Sequence, residues 1–160
     1  MVTTGTRVVP LGLVGLEPGR EDGLSPLSGA MVLGALDTLE VEGGVVIGVP
    51  LAARLGLYPG DTLSFILPRA TGDTVAPLLF AAEVRGLFRL GAEPDHLVAF
   101  THVDELTQRV RSTPIALRVA LEDVFTAPGV AAALREDPRF ASWRVRDWTD
   151  RYGALFAAVG

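Results

Sequence analysis

Apolar and polar positions along this chain fall into short runs whose periods outline its elements. "RVVPLGLVGL" (7–16) is an apolar run that breaks off at the turn-like "EPGRED" and predicts a buried strand, with Pro10 marking an edge or bulge near its start. Between 24 and 42, Leu, Ser, Pro and Gly alternate without a period, which predicts loop with at most a short strand near 31–33. Val45, Val46 and Ile47 are β-branched and bounded by glycines, the signature of a short buried strand. Pro50 suits a helix first turn, where its missing N–H costs nothing. Leu51, Ala52 and Leu55 then share one face, and Gly56 is placed to end the helix. In "YPGD", Pro59 and Gly60 occupy the two central positions of a type II turn, which needs φ near −60° and then a positive φ. Beyond it Leu63, Phe65 and Leu67 alternate with Thr62, Ser64 and Ile66 as in a strand.

The next segment, "PRATGDTVAP" (68–77), is polar, bracketed by prolines and flanked by strand-like runs, so it predicts an exposed hairpin tip. "LLFAAEVRGLFRL" (78–90) continues as a long strand in which Gly86 is a candidate bulge. "LVAF" (97–100) is a further short strand, after which Thr101 and Asp104 resemble a capping arrangement for a helix that turns Val103, Leu106 and Val110 inward. "PIALRVAL" (114–121) predicts a strand. A helix near 127–135 follows, capped by Thr126 and burying Val130 and Leu134. "SWRVR" alternates Trp143 and Val145 with Arg144 and Arg146 as a half-buried strand would. Asp147 is placed to cap a last helix whose Trp148, Tyr152, Leu155, Phe156 and Val159 form an apolar stripe. A β-rich middle thus lies between a strand at the start and a β-α-β-α module at the end. The fold class is α+β, and no repeat of fixed period is present.

Composition narrows the function. The chain has 160 residues, 49% of them hydrophobic and 21% charged, which is globular usage and long enough for one core or two small lobes. Its formal charge is −5, and all 14 basic residues are arginines. An acidic balance disfavours broad binding to nucleic acid or anionic membranes. Without lysine there is no Walker-type phosphate loop and no Schiff-base residue. With no cysteine there is no disulfide, thiolate metal site or cysteine nucleophile. "MVTTGTRVV" lacks the basic and apolar regions of a signal peptide, and the longest apolar run, 45–53, is far short of the roughly 20 residues that span a bilayer. "YGALFAAVG" breaks off within an apolar helical pattern, as a chain cut where more helix is due would.

Candidate chemistry is sparse. His96 and His102 are the only histidines and sit among carboxylates in "EPDHLVAFTHVDE". Six residues of extended chain separate them by about 20 Å at roughly 3.3 Å per residue, so capping or solvated histidines at the two ends of a strand fit better than a shared metal. No serine lies in G-x-S-x-G. The acid pairs Glu122–Asp123 and Glu136–Asp137 lie at predicted element ends and read as solvated surface. "GLVGLEPG" is not a dinucleotide fingerprint. "RFASWRVRDWTDR" mixes Arg with Trp, but its alternation turns Trp143 inward, and Asp147 and Asp150 offset the charge. No catalytic, cofactor-binding or metal residue is assigned. The final stripe fits two readings, a helix docked on the core or the lower stalk of a helix continuing into a membrane.

Taken in order, "GLEP…LSPL", "VVIGVPLAARLGLYPGD", "VRGLFRLG…DHLVAFTHVDEL", "ALRVALEDVFTAPGVAAAL" and "DWTDRYGALFAAV" resemble the extracytoplasmic domain of a lipoprotein-releasing ABC-transporter permease of the LolC/LolE type, in the wider MacB-like and FtsX-like group. The likeness runs from about residue 8 to 159, and the second and last segments are its most specific parts. It implies a non-enzymatic periplasmic module held between two membrane helices, with no cofactor. A second permease subunit and a cytoplasmic ATPase would be its partners, and a periplasmic carrier or a lipoprotein its contact or cargo. It implies a β-rich inserted lobe over 24–111, a partial mixed β-α-β lobe from 7–16 with 114–147, and a stalk over 147–160 carrying Trp148, Tyr152 and Phe156. The protruding hairpin that engages the carrier in LolC-like members corresponds to 68–77, which makes Pro68, Arg69, Asp73 and Pro77 the expected partner-contact residues. Two departures stand out: this hairpin is shorter, and the family's N-terminal part of the mixed lobe and its first membrane helix are missing. LolC-like and LolE-like both remain open. The rival reading is a free-standing β-rich ligand-binding or oligomeric interaction domain, and an enzyme is the third.

Overall fold

The structure is a computed structural model. It describes residues 2–4, 7–21, 24–71, 74–110 and 116–150. The chain divides into two compact units, Met1–Arg118 and Val119–Gly160.

The first unit is built on one sheet. Its strands are β1 (Val2–Thr4), β2 (Arg7–Val9), β3 (Gly12–Leu16), β4 (Met31–Leu33), β5 (Gly44–Gly48), β6 (Thr62–Thr71), β7 (Thr74–Phe88) and β8 (Val98–His102). Among the described residues three short α-helices accompany them: α1 (Val49–Leu55), α2 (Pro94–Leu97) and α3 (Val103–Arg109). Among the described residues the strand order is β2-β1-β6-β7-β5-β8-β3, with β4 pairing β7 off that path. β5 runs parallel to β7 and β3 parallel to β8, while the other pairs are antiparallel. Helices and sheet together give the expected α+β class.

β5 lies between two strands and is covered on both faces. Val45 and Ile47 join Leu51, Leu55, Leu63, Phe65 and Val84 in one core cluster. Val46 points the other way, into a second cluster with Leu16, Leu36, Leu39 and Phe88. That is why "VVI" reads as a continuous apolar run rather than an alternating one. α1 ends where Gly56 takes φ 71°. The chain then turns through Pro59 and Gly60, the latter at φ 98°, closed by a bond from the Asp61 N–H to the Tyr58 carbonyl. The bulge expected near Gly86 is present as a register shift: Val45 pairs Val84 but Val46 pairs Gly86, leaving Arg85 extra. A side chain at 86 would lie 2.6 Å from the Met31 methyl and 2.9 Å from the Leu33 carbonyl oxygen, so glycine lets β4 approach.

Several local expectations are corrected. The strand expected over 7–16 is two strands, β2 and β3, interrupted at Pro10 and Leu11. His96 is in α2, not at a strand end. The cap of α3 is His102, whose Nδ1 accepts from the Asp104 N–H, in place of Thr101. Thr101 is buried and donates to the Gly44 carbonyl.

In the second unit, α4 (Ala127–Glu136) follows a 3-10 turn that Asp123 caps by accepting from the Phe125 N–H. Thr126, expected to cap α4, instead donates its hydroxyl to the Asp123 carbonyl. Neither 116–121 nor 142–146 is a strand. Alternation records which side chains favour one face, but a strand also needs a neighbour to share its backbone bonds, and none is described there. Trp143, expected to point inward, is 44% exposed. Asp147 does cap the turn that follows it, accepting from the Thr149 N–H and hydroxyl, while Asp150 accepts from the Asp147 N–H.

Candidate partner-contact site

The hairpin of β6 and β7 carries the expected contact residues. Its ladder is regular from Thr62↔Glu83 to Thr71↔Thr74, with Phe65 opposite Phe80 and Pro68 opposite Pro77. Residues 68–71 and 74–77 are therefore paired strand within the expected hairpin. Among the described residues β1 pairs β6 only at Ser64 and Phe65, and β5 pairs β7 only from Glu83 onward. The outer rungs thus form a two-stranded arm.

Its two faces differ. On one, Leu63 and Phe65 are buried in the core and the Phe65 and Phe80 rings stack with centroids 4.9 Å apart. On the other, Ile66 opposes Leu79 and Pro68 opposes Pro77, with both prolines exposed and Leu79 65% exposed. On that outer face Ile66, Leu79, Pro68 and Pro77 form an uncharged apolar strip. Directly opposed prolines fit a non-hydrogen-bonded rung, where each backbone nitrogen points away from the partner strand. Each outer edge then lacks a donor at that rung, which disfavours addition of a third strand. The arm is thereby shaped to be met on its face and tip.

Of the expected contact residues, Pro68 and Pro77 are brought directly opposite each other. Arg69 pairs Ala76 in the ladder, and its side chain lies outside the description. Asp73 lies outside the described residues, as do Tyr152 and Phe156. Trp148 donates its indole N–H to the Val124 carbonyl at 2.8 Å and meets Phe125 edge to face at 6.4 Å. Its ring is thus engaged inside the second unit.

Elsewhere the polar groups are structural. Asp95, 3% exposed, accepts from the Leu90 and Gly91 N–H groups at 2.8 Å each, so both carboxylate oxygens are occupied. It borders a shallow open depression lined by Val49, Pro50, Ala53, Arg89 and His96, where no nucleophile faces a base. His102 lies 3.7 Å from Glu40 and 3.8 Å from Asp104. No cluster of three or more metal-ligating residues occurs among the described residues. Arg85 was not singled out by its sequence, yet it donates to the Thr38, Val41 and Glu42 carbonyls at 2.5–3.0 Å and so fastens the 38–42 segment to β7. In the second unit, hydrogen bonds from the Thr149 hydroxyl and N–H, then the Arg135 charge, hold the Asp147 carboxyl below the usual carboxylate range.

No helix among the described residues is long and apolar enough to cross a membrane. No protein-family model matches the chain. Curated relatives do. A protein of Neisseria meningitidis serogroup B named lipoprotein-releasing system transmembrane protein LolC is 35% identical over 129 residues, covering 77% of this chain and 31% of the relative. The protein of that name in Xylella fastidiosa is 28% identical over 160 residues, covering 97% and 38%. Lipoprotein-releasing system transmembrane protein LolE of Haemophilus influenzae is 21% identical over 165 residues, covering 99% and 39%. The arm and its sheet are therefore part of a chain homologous to transmembrane subunits of lipoprotein-releasing systems. Over most of its length it is similar to LolC and LolE proteins, and it spans 31–39% of the length of these relatives.

Proposed function

We propose that this chain is a non-enzymatic, extracytoplasmic module of an ABC-transporter permease, and that it helps hand over a lipophilic cargo such as a lipoprotein. In this reading ATP is hydrolysed in a separate cytoplasmic subunit. A second permease subunit completes the complex, and movement of the membrane helices reaches this module through the segment beginning at Asp147. The β6–β7 arm is the surface offered to a partner, with Pro68, Arg69, Asp73 and Pro77 at its end. The stalk packing face is Trp148 with Tyr152 and Phe156.

One observation carries the reading. The arm continues past its last described strand neighbours, turns an uncharged face outward and blocks strand addition with two opposed prolines. A surface with those properties fits a partner that meets it face-on. Relatives over most of the chain carry lipoprotein release in their names, which supports a lipoprotein or its carrier as that partner. The test is removal of residues 71–75 in the assembled transporter, followed by measurement of carrier capture and lipoprotein release. Loss of both with assembly intact is the expected result. Unchanged capture and release would remove the arm from the function.

A further inference from the structure

The arm raises a mechanical problem. Its rungs from Leu67↔Leu78 to Thr71↔Thr74 have no third strand among the described residues, and an isolated two-stranded ribbon is marginal in water. Its direction must be set at its root. There the Phe65 and Phe80 rings stack with an interplanar angle of 12°, and the guanidinium of Arg109 lies 5.0 Å from the centre of the Phe80 ring.

The same guanidinium is anchored one turn back. Arg109 Nη2 donates to Glu105 Oε1 at 2.6 Å. Glu105 is 8% exposed, and its other oxygen lies 3.3 Å from the Thr101 hydroxyl, which in turn donates to the Gly44 carbonyl at 2.9 Å. A continuous line of contacts therefore runs from β5, in the core of the sheet, through α3 to the root of the arm.

This line is an expensive way to fill space. Arg109 Nε is buried and has no partner among the described residues. A buried donor left unpaired costs its desolvation, and a carboxylate removed from water adds to that cost. A methionine would spare the Nε penalty but leave the Glu105 carboxylate buried without its cation. Neutralising Glu105 accounts for a cation at this position, whereas its placement over the Phe80 ring bears on orientation. A planar cation lying over a ring and fixed by a short bond to a buried carboxylate restrains rotation of that ring, which an aliphatic chain does not.

We propose that Arg109 is a positioning residue: braced by Glu105 against β5, it fixes the angle at which the β6–β7 arm leaves the sheet. The claim concerns the geometry of the arm and goes beyond the function proposed above, because it requires no particular partner.

The chain contains no cysteine, so two introduced ones can carry spin labels without background. In the intact protein, with any cysteine outside these 160 residues replaced by serine, Thr71→Cys at the end of β6 and Asp37→Cys on the exposed 3-10 turn report the distance from arm to sheet. The expected result is one narrow distance distribution, broadened about twofold by Arg109→Met as the ribbon becomes free to swing. The thermal midpoint of that variant falls, because the Glu105 carboxylate stays buried without its cation, and adding Glu105→Gln restores much of the midpoint while the distribution stays broad. Phe80→Leu broadens the distribution similarly, and the double variant adds nothing to either single change. A distribution unchanged in the folded Arg109→Met protein overturns the proposal, and so does a lowered midpoint with no broadening, which would mark a merely structural role. Should Arg109→Met fail to fold, Phe80→Leu decides alone, broadening supporting the brace and an unchanged width refuting it.

Discussion

Gly48 offers a quantitative test of how the two α-helical ends of the first unit pack. It is the last residue of β5 and the N-cap of α1, with φ −66° and ψ 144°, angles open to any L-residue. Space is what it lacks. A methyl group there would collide with the carbonyl oxygen of Asp95 and stand 2.5 Å from that residue's carbonyl carbon and 2.6 Å from its Cα. These are backbone atoms, and they are held in place because the Asp95 carboxylate grips the Leu90 and Gly91 N–H groups. Relief requires α2 to move by the better part of an ångström. Gly48→Ala should therefore cost about 3 kcal/mol, the upper part of the range for overpacking. For a chain of this size that lowers the thermal midpoint by roughly 6–12 °C. Gly56→Ala is the control. Gly56 has nothing within 4 Å but a φ of +71°, so its cost is conformational and about 1 kcal/mol. Thermal and urea unfolding followed by far-ultraviolet circular dichroism compare the two. A Gly48→Ala protein as stable as Gly56→Ala would refute the close approach of α2 to β5.

Further outcomes follow from single contacts. Arg85→Met leaves the Thr38, Val41 and Glu42 carbonyls without their donor and should cost about 2 kcal/mol, with faster amide exchange confined to the 38–44 segment. Asp95→Asn keeps the shape but loses the charge that both N–H groups approach, and unfolding should show a loss of about 1–2 kcal/mol. Asp147 titrates below the usual carboxylate range, chiefly through its bonds from Thr149 and then the Arg135 charge. Its folded-state value lies below the unfolded one, so its stabilisation is present above the ordinary carboxylate pKa and lost as pH falls through the lowered value. Asp147→Asn should remove that acid-side loss, and carboxyl-carbon NMR titration of the parent protein should report the lowered midpoint.

The parts of this molecule legible in its sequence are those whose causes are local. Strand β5, helix α1, the Tyr58–Asp61 turn and strand β6 lie within 44–71 and are specified by Pro50, Gly56, Pro59 and Gly60 acting on their own neighbours. Gly86 marked the bulge for the same reason. What escaped depends on partners distant in the chain. Parallel pairing of β3 with β8 joins residues over eighty positions apart, and no feature of "GLVGL" names its neighbour. At 142–146 the alternation of Trp143 and Val145 with arginines is genuine, yet no described strand accepts its backbone bonds. Arg109 at the end of α3 reads, in sequence, as an ordinary complement to the helix dipole. Only the register that brings Phe80 beneath it reveals more. The hairpin lay between these cases. Its place and its prolines were visible, while the near-complete ladder and the apolar outer strip required the pairing of Ile66 with Leu79.

The arm is proposed to stand on the outer side of a membrane. These 160 residues contain no cysteine, so Asp73→Cys, between Thr71 and Thr74 in sequence, adds a single thiol once any cysteine elsewhere in the protein is replaced by serine. Sealed spheroplasts expressing the intact permease can be treated with a membrane-impermeant maleimide before and after lysis. Full modification while the cells remain sealed is the expected result. Modification that appears only after lysis would contradict it.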